Sequence, residues 1–266
     1  KDIKMADLTF KGTTNQVLLE LAQASSKIGA NTKVTITDNN YTVDNLTTIL
    51  ATVTNTPIIL ENPAAKVAFV DTNAKISNVL AKVNKYTGAV TLTDGSVTAS
   101  QLDTIASLTS GKVTATLNPT TTAIDSATVA ALENVKATDN ITFAPTDTTL
   151  SDNSDVRALI SLSKTLPKAN FSAITKVTTS EVSLAKQAIA IIKNNTNLAV
   201  DLSAIEISAS DANAIAKATS GVLTATIKDG GVAATLKAIG DVKATDAITF
   251  TTTDRTVKAA DLVALS

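Results

Sequence analysis

The chain contains no cysteine, no histidine and no tryptophan, and a single methionine. Without cysteine there is no disulfide, no iron–sulfur ligation and no thiol nucleophile. Without histidine the commonest general base and zinc ligand are gone as well. Aromatic residues are 3% of the 266, too few for platforms on which bases or sugars stack. Charge is sparse at 18%, and 23 Lys+Arg against 24 Asp+Glu leave a net charge of −1. Such a balance offers no basic field, so no nucleic-acid partner is expected. No apolar run approaches the ~20 residues of a membrane-spanning helix, so no membrane span is expected either. Glycine numbers nine, which excludes glycine-rich calcium β-roll nonapeptides.

What is abundant is threonine (45 residues) and alanine (42), within a hydrophobic content of 44% that can build a sizeable core. The chain also repeats itself. Val135-Lys136-Ala137-Thr138-Asp139-Asn140-Ile141-Thr142-Phe143 recurs as Val242-Lys243-Ala244-Thr245-Asp246-Ala247-Ile248-Thr249-Phe250. Upstream, Thr109-Ser110-Gly111 recurs as Thr219-Ser220-Gly221. Two collinear matches define a long repeat, residues 97–160 and 207–266. A shorter period runs inside it. Val34-Thr35-Ile36-Thr37-Asp38 resembles Val90-Thr91-Leu92-Thr93-Asp94, and each is followed by a helix-like segment. Units start near residues 6, 33, 58, 89, 112, 140, 169, 198, 222 and 247, with the third and seventh least regular. The expectation is a single array over 1–266 of about ten units. Its first unit starts near Lys1 and its last breaks off at Ser266, so it reads as a piece of a longer chain.

Each unit reads as strand, turn and helix. Val34 and Ile36 alternate with Thr35 and Thr37, the period-two pattern of a strand with one face in the core. Strands are predicted near 34–37, 90–93, 113–117, 141–143, 223–227 and 248–252, with Val34, Ile36, Val90 and Leu92 inward. Thr98 with Gln101, and Ser208 with Asp211, have capping-box spacing. Apolar residues then recur at helical spacing: Val43, Leu46, Ile49, Leu50 and Val53 in one unit, Ile76, Val79, Leu80 and Val83 in another. Gly88, Gly111 and Gly221 stand where helices should stop. A short strand out and a helix back close one turn of chain. The predicted class is therefore α/β: a repetitive strand–helix solenoid with a parallel sheet on one side and short helices on the other. It is like a leucine-rich-repeat architecture without that consensus. A doubly wound domain is the main alternative, but its central strands should be continuously apolar, and here alternate positions are threonine.

The segment VTLTDGSVTASQLDTIASLTSGKVTATL, residues 90–117, resembles Ala/Thr-rich repeats of very large bacterial surface proteins, notably cyanobacterial ones of adhesin or surface-layer type. The likeness is one of repeat style and spans most of 33–266. It implies extracellular or cell-surface placement, a structural or adhesive role, and no catalytic residues to carry over.

Side-chain patterns that carry catalysis are mostly absent. A Ser–Lys dyad of Ser161 or Ser163 with Lys164 is conceivable but reads instead as a solvated helix face; adjacent positions such as Ser163 and Lys164 do not face each other. The chain is expected not to be an enzyme and to need no cofactor. Asp38, Asp94, Asp139 and Asp246 fall in turns, and a column of them is a calcium candidate. The competing reading is that turn aspartates bond backbone amides. The T-x-T pairs Thr35/Thr37, Thr91/Thr93, Thr114/Thr116, Thr224/Thr226 and Thr249/Thr251 would line an open sheet face. That face is the candidate binding surface for protein, glycan or ice. The favoured partner is the chain itself, in a lattice or fibre, or neighbouring domains of a longer chain.

Overall fold

The computed structural model describes residues 8–24, 28–53, 57–61, 67–84, 86–192, 196–228 and 230–265. Among them, twelve strands and ten helices form a mixed α/β fold. The strands make three sheets with open ends, not a closed barrel, and every strand pair is parallel. Contacts divide the chain into two compact bodies, 1–118 with 131–143, and 119–130 with 144–266.

The first body holds β1 (Thr9–Gly12), α1 (Thr14–Ala24), β2 (Lys33–Ile36), α2 (Val43–Thr52) and β3 (Ile58–Leu60). These are followed by β4 (Phe69–Asp71), α3 (Asn73–Leu80), β5 (Val90–Leu92), α4 (Ala99–Leu108), β6 (Val113–Thr116) and β7 (Asn140–Thr142). One sheet has the order β1-β2-β3 and the other β4-β5-β6-β7, each in sequence order. Helices α1, α2, α3 and α4 pack consecutively. The second body holds α5 (Ser126–Ala130), β8 (Thr149–Leu150), α6 (Asn153–Thr165), β9 (Lys176–Thr178) and α7 (Val182–Ile191). It continues through β10 (Ala199–Ile207), α8 (Ala209–Ala218), β11 (Leu223–Ile227), α9 (Val232–Ala238), β12 (Ala247–Phe250) and α10 (Ala259–Leu265). Its sheet runs β12-β11-β10-β9-β8, and its helices also pack consecutively.

The strands lie where the alternation places them, and the inward set is the expected one. Val34, Ile36, Val90 and Leu92 are buried, while Thr35 and Thr91 are half-buried and Thr249 is exposed. Thr98 caps α4 in a complete capping box with Gln101, and Ser208 caps α8 by accepting from the Asp211 amide. Thr42 with Asn45 makes the same box on α2. Buried faces of the later helices are rich in alanine (Ala185, Ala188, Ala212, Ala216), whose small side chain lets neighbours approach closely.

Three expectations need correction. The irregular third unit contains two strands, β3 and β4, which belong to different sheets. The seventh start, near 169, precedes its strand, which begins at Lys176, and β8 is an additional strand before α6. Val83 is not the last turn of a helix: α3 ends at Leu80, and Val83 forms a parallel bridge with Ile58. The start near residue 6 lies outside the described residues.

The glycines do not stop helices either. Helices α4 and α8 end before extended C-caps, Thr109 and Thr219. Gly111 is needed for a different reason: a Cβ there would lie 2.0 Å from the Gly88 carbonyl oxygen. At Gly221 the same atom would lie 2.3 Å from the Leu198 carbonyl oxygen. Among the described residues, Gly231 is the glycine with positive φ (79°), at the N-cap of α9.

Candidate functional site

The T-x-T residues do reach the open faces of the sheets. Thr35, Thr91, Thr114, Thr224 and Thr226 are half-buried, and Thr37, Thr93, Thr116, Thr249 and Thr251 are exposed. Register then decides what they can build. Along the first sheet the outward row is Lys11, Thr35 and Ile59. Along the second it is Val70, Thr91, Thr114 and Asn140. Along the third, Thr178, Asp201, Thr224 and Ala247 form one row, and Glu206, Thr226 and Thr249 another. Threonines are thus brought together in pairs, Thr91–Thr114, Thr116–Thr142 and Thr226–Thr249, and aliphatic or charged residues interrupt them. Ion pairs Lys11–Glu61 and Lys176–Asp201 lie on the same surfaces. Flat ranks of hydroxyls and methyls, which an ice-binding surface requires, are not formed.

The turn aspartates have a clear structural task. Asp38 Oδ1 accepts from the Thr14 amide at 3.0 Å and from the Thr14 hydroxyl at 2.6 Å. Asp94 Oδ2 accepts from the Asn73 amide at 2.5 Å, Asp147 from Ile124 at 3.0 Å, and Asp254 from Val232 at 2.8 Å. In three of the four the amide belongs to the first residue of a helix, α1, α3 or α9. There, unpaired N–H groups and the helix dipole favour a carboxylate. In each case the acceptor comes from the strand–helix unit that follows. Asp139 and Asp246 make a second kind of contact, each within its own body. Asp139 accepts from Val113 and Lys136 amides at 2.8 and 2.9 Å, and Asp246 from Leu223 and Lys243 amides, both at 2.8 Å. Among the described residues no three acidic side chains gather as metal ligands would. The four calcium candidates are accounted for by the amides they accept.

Further contacts between units were not legible from spacing. Lys136 Nζ donates to the Thr109 carbonyl at 3.2 Å, and Lys243 Nζ to Thr219 at 2.9 Å and Ala216 at 3.2 Å. A cation thus meets the carbonyl end of α4 and of α8, where the dipole favours it. The Thr109 hydroxyl donates to the Gly88 carbonyl, and the Thr219 hydroxyl to Leu198. Each also accepts from the glycine two residues on. The Thr-Ser-Gly motif is therefore a joint to the preceding unit.

A last pair joins a helix to the turn that follows the next helix. Asp103 accepts from the Asn134 amide (2.7 Å) and side-chain Nδ2 (2.9 Å). At the corresponding place in the second long repeat, Asn213 Oδ1 accepts from the Asp241 amide (2.6 Å) while its Nδ2 donates to the Asp241 carboxylate (2.9 Å). Acid and amide have changed places. The Ser163 hydroxyl, next to Lys164 on the face read as solvated, donates to the Ile160 carbonyl.

No family model matches the chain, and no curated protein is significantly similar to it. Among the described residues no helix is long and apolar enough to cross a membrane.

Proposed function

We propose that the chain is a strand–helix solenoid serving as a non-enzymatic structural or adhesive module of a bacterial surface protein, outside the cell, and that it acts by self-assembly. One observation carries this reading. Equivalent side chains in the two long repeats bond to equivalent places in the adjoining unit: Asp139 to Val113 and Asp246 to Leu223, Lys136 to Thr109 and Lys243 to Thr219. Their partners lie 23–27 residues away, about one unit along the chain. Such bonds suit a stack in which each unit covers the apolar side of its neighbour.

The side-chain inventory favours the same role. The acidic and cationic groups described above act on backbone amides, helix ends and one another. They do not converge on a common point where a substrate would react. The Ala/Thr-rich repeat style of residues 90–117 is the reason for placing the module at a bacterial surface. Electron microscopy of native surface material, with an antibody raised against this chain, tests the role. A labelled lattice, fibre or stalk is expected. Label confined to the cytoplasm, or turnover of a substrate by the purified chain, would overturn it.

A further inference from the structure

The first body contains a break between its two sheets, well inside the chain. One sheet stops at β3 and the next starts at β4, although both lie in the same compact body. Elsewhere in this body neighbouring strands pair over two to four residues. Across the break, among the described residues, the backbone is joined by the isolated bridge of Ile58 with Val83. There the Ile58 amide donates to the Lys82 carbonyl at 2.7 Å, and the Asn84 amide to the Ile58 carbonyl at 3.2 Å. Side chains hold the rest. Helix α2 packs on α3 and β4, and Lys75 on α3 pairs with Asp44 on α2 at 2.9 Å. Phe69 on β4 meets Tyr41, from the loop before α2, edge-on at 6.2 Å, and stacks on Tyr86 at 4.3 Å.

Two of these contacts hold weakly. The Lys75–Asp44 pair is largely exposed, and a solvent-screened pair contributes little. The Tyr86 hydroxyl donates to the Val67 carbonyl, but the Tyr41 hydroxyl is buried without a partner. Opening returns that hydroxyl to water, so the closed form bears a cost that the open form does not. Parting β1 from β2, or β4 from β5, breaks a ladder. Parting β3 from β4 breaks one bridge and separates Tyr41 from Phe69. Local stability follows the buried contacts and backbone bonds lost on opening. We infer that the β3–β4 break is a joint at which the first body opens while both of its sheets stay folded, with the Tyr41–Phe69 contact as its latch. On one side of the joint lie β1, β2 and β3 with α1 and α2. On the other lie β4 to β7 with α3 and α4. Such a joint gives a structural module a place to yield without losing a sheet. The inference goes beyond the surface role and does not depend on it.

Hydrogen exchange on the full-length protein tests this. The Ile58 and Asn84 amides report the joint, and the Val90 amide, which donates to the Lys112 carbonyl inside the second sheet, reports the sheet. After correction for intrinsic rates, Ile58 and Asn84 are expected to exchange at one common rate, at least about tenfold faster than Val90. That rate should rise in low urea, because opening exposes apolar surface. Tyr41→Phe removes the unpartnered hydroxyl and should slow both amides several-fold. Phe69→Leu removes the ring contact and should quicken them. Because the chain has no cysteine, Ile58→Cys with Val83→Cys forms one defined disulfide across the bridge, where strands lie about 4.8 Å apart. Oxidation should bring Asn84 down to the Val90 rate, and reduction should restore the difference. Ile58 and Asn84 exchanging no faster than Val90 would show that the body opens as one and overturn the inference. So would rates indifferent to urea, which mark fraying of a single bridge. Faster exchange in Tyr41→Phe, or none gained in Phe69→Leu, would remove the latch. The wild-type and Tyr41→Phe measurements decide the matter even where the disulfide variant does not fold.

Discussion

Asp38 and Thr14 stand 24 residues apart in sequence, yet one oxygen of the aspartate accepts both the amide and the hydroxyl of the threonine. The carboxylate serves as the N-terminal acceptor of α1, although it comes from the loop after β2. Replacing it by alanine leaves a buried threonine without that acceptor. Asp38→Ala is expected to cost about 0.5–2 kcal/mol, the range of a lost helix cap. Asp38→Asn, which keeps the oxygen but not the charge, should cost less. Urea denaturation of the three proteins, compared at equal m-value, measures both.

Glycines should divide by what their missing Cβ would meet. Gly111→Ala drives a methyl into the Gly88 carbonyl and is expected to destabilise by about 1–3 kcal/mol, the scale of overpacking. Gly95, where nothing lies within 4 Å, should accept alanine at no cost. It should even gain a few tenths of a kcal/mol from a stiffer unfolded chain, up to roughly 1. Thermal melts of the two variants should move in opposite directions.

The exchanged acid and amide permit a double-mutant cycle. Asn134→Asp sets a second carboxylate against Asp103 and should destabilise. Asp103→Asn removes the charge that holds the Asn134 amide. The double variant rebuilds the arrangement seen at Asn213 and Asp241. It should recover most of the loss, with a coupling of about 0.5–3 kcal/mol. Additive losses in denaturation would show that the two pairs are not equivalent.

Alkaline stability follows from the two tyrosines, which are the whole tyrosine content. In the first body Phe69 stacks on Tyr86 and meets Tyr41 edge-on, so the three rings form one cluster. Burial pushes the Tyr86 hydroxyl well above its ordinary range. Tyr41 is raised too, by burial first and the Asp38 charge second. Folded-state values above the unfolded one, about 10, mean that this stabilisation is fully present below that pH. It declines as pH rises from the unfolded toward the folded value. Tyrosinate absorbance should therefore appear together with the loss of near-ultraviolet circular dichroism. Ionisation well ahead of unfolding would contradict the buried placement.

Local features were legible in the sequence because their causes are local. The alternation of Val34-Thr35-Ile36 shows which side chains are buried, and Thr98 with Gln101 marks a helix start within four residues. Strands of two or three residues, such as Thr149–Leu150, are too short to establish a period. Ile58 and Phe69 both look like strand starts, and only the pairing places them in different sheets. The partners of the aspartates were hidden for another reason. An acceptor 21–26 residues from its amide leaves no mark on the residues around it, so Asp94 read as a turn former or a calcium ligand. Gly111 read as a helix stop because the backbone it must admit lies in another unit.

The placement of Asp38, Asp94, Asp147 and Asp254 has a consequence for copy number. Each stands just beyond a strand and reaches back to an amide of the unit before it. Slippage that excised one whole unit from the gene would bring the next aspartate up to the amide left bare. A duplication would bring its own. If the units stack as proposed, interchangeable acceptors of this kind would let a series lengthen or shorten by whole periods while the amides at such junctions stay paired.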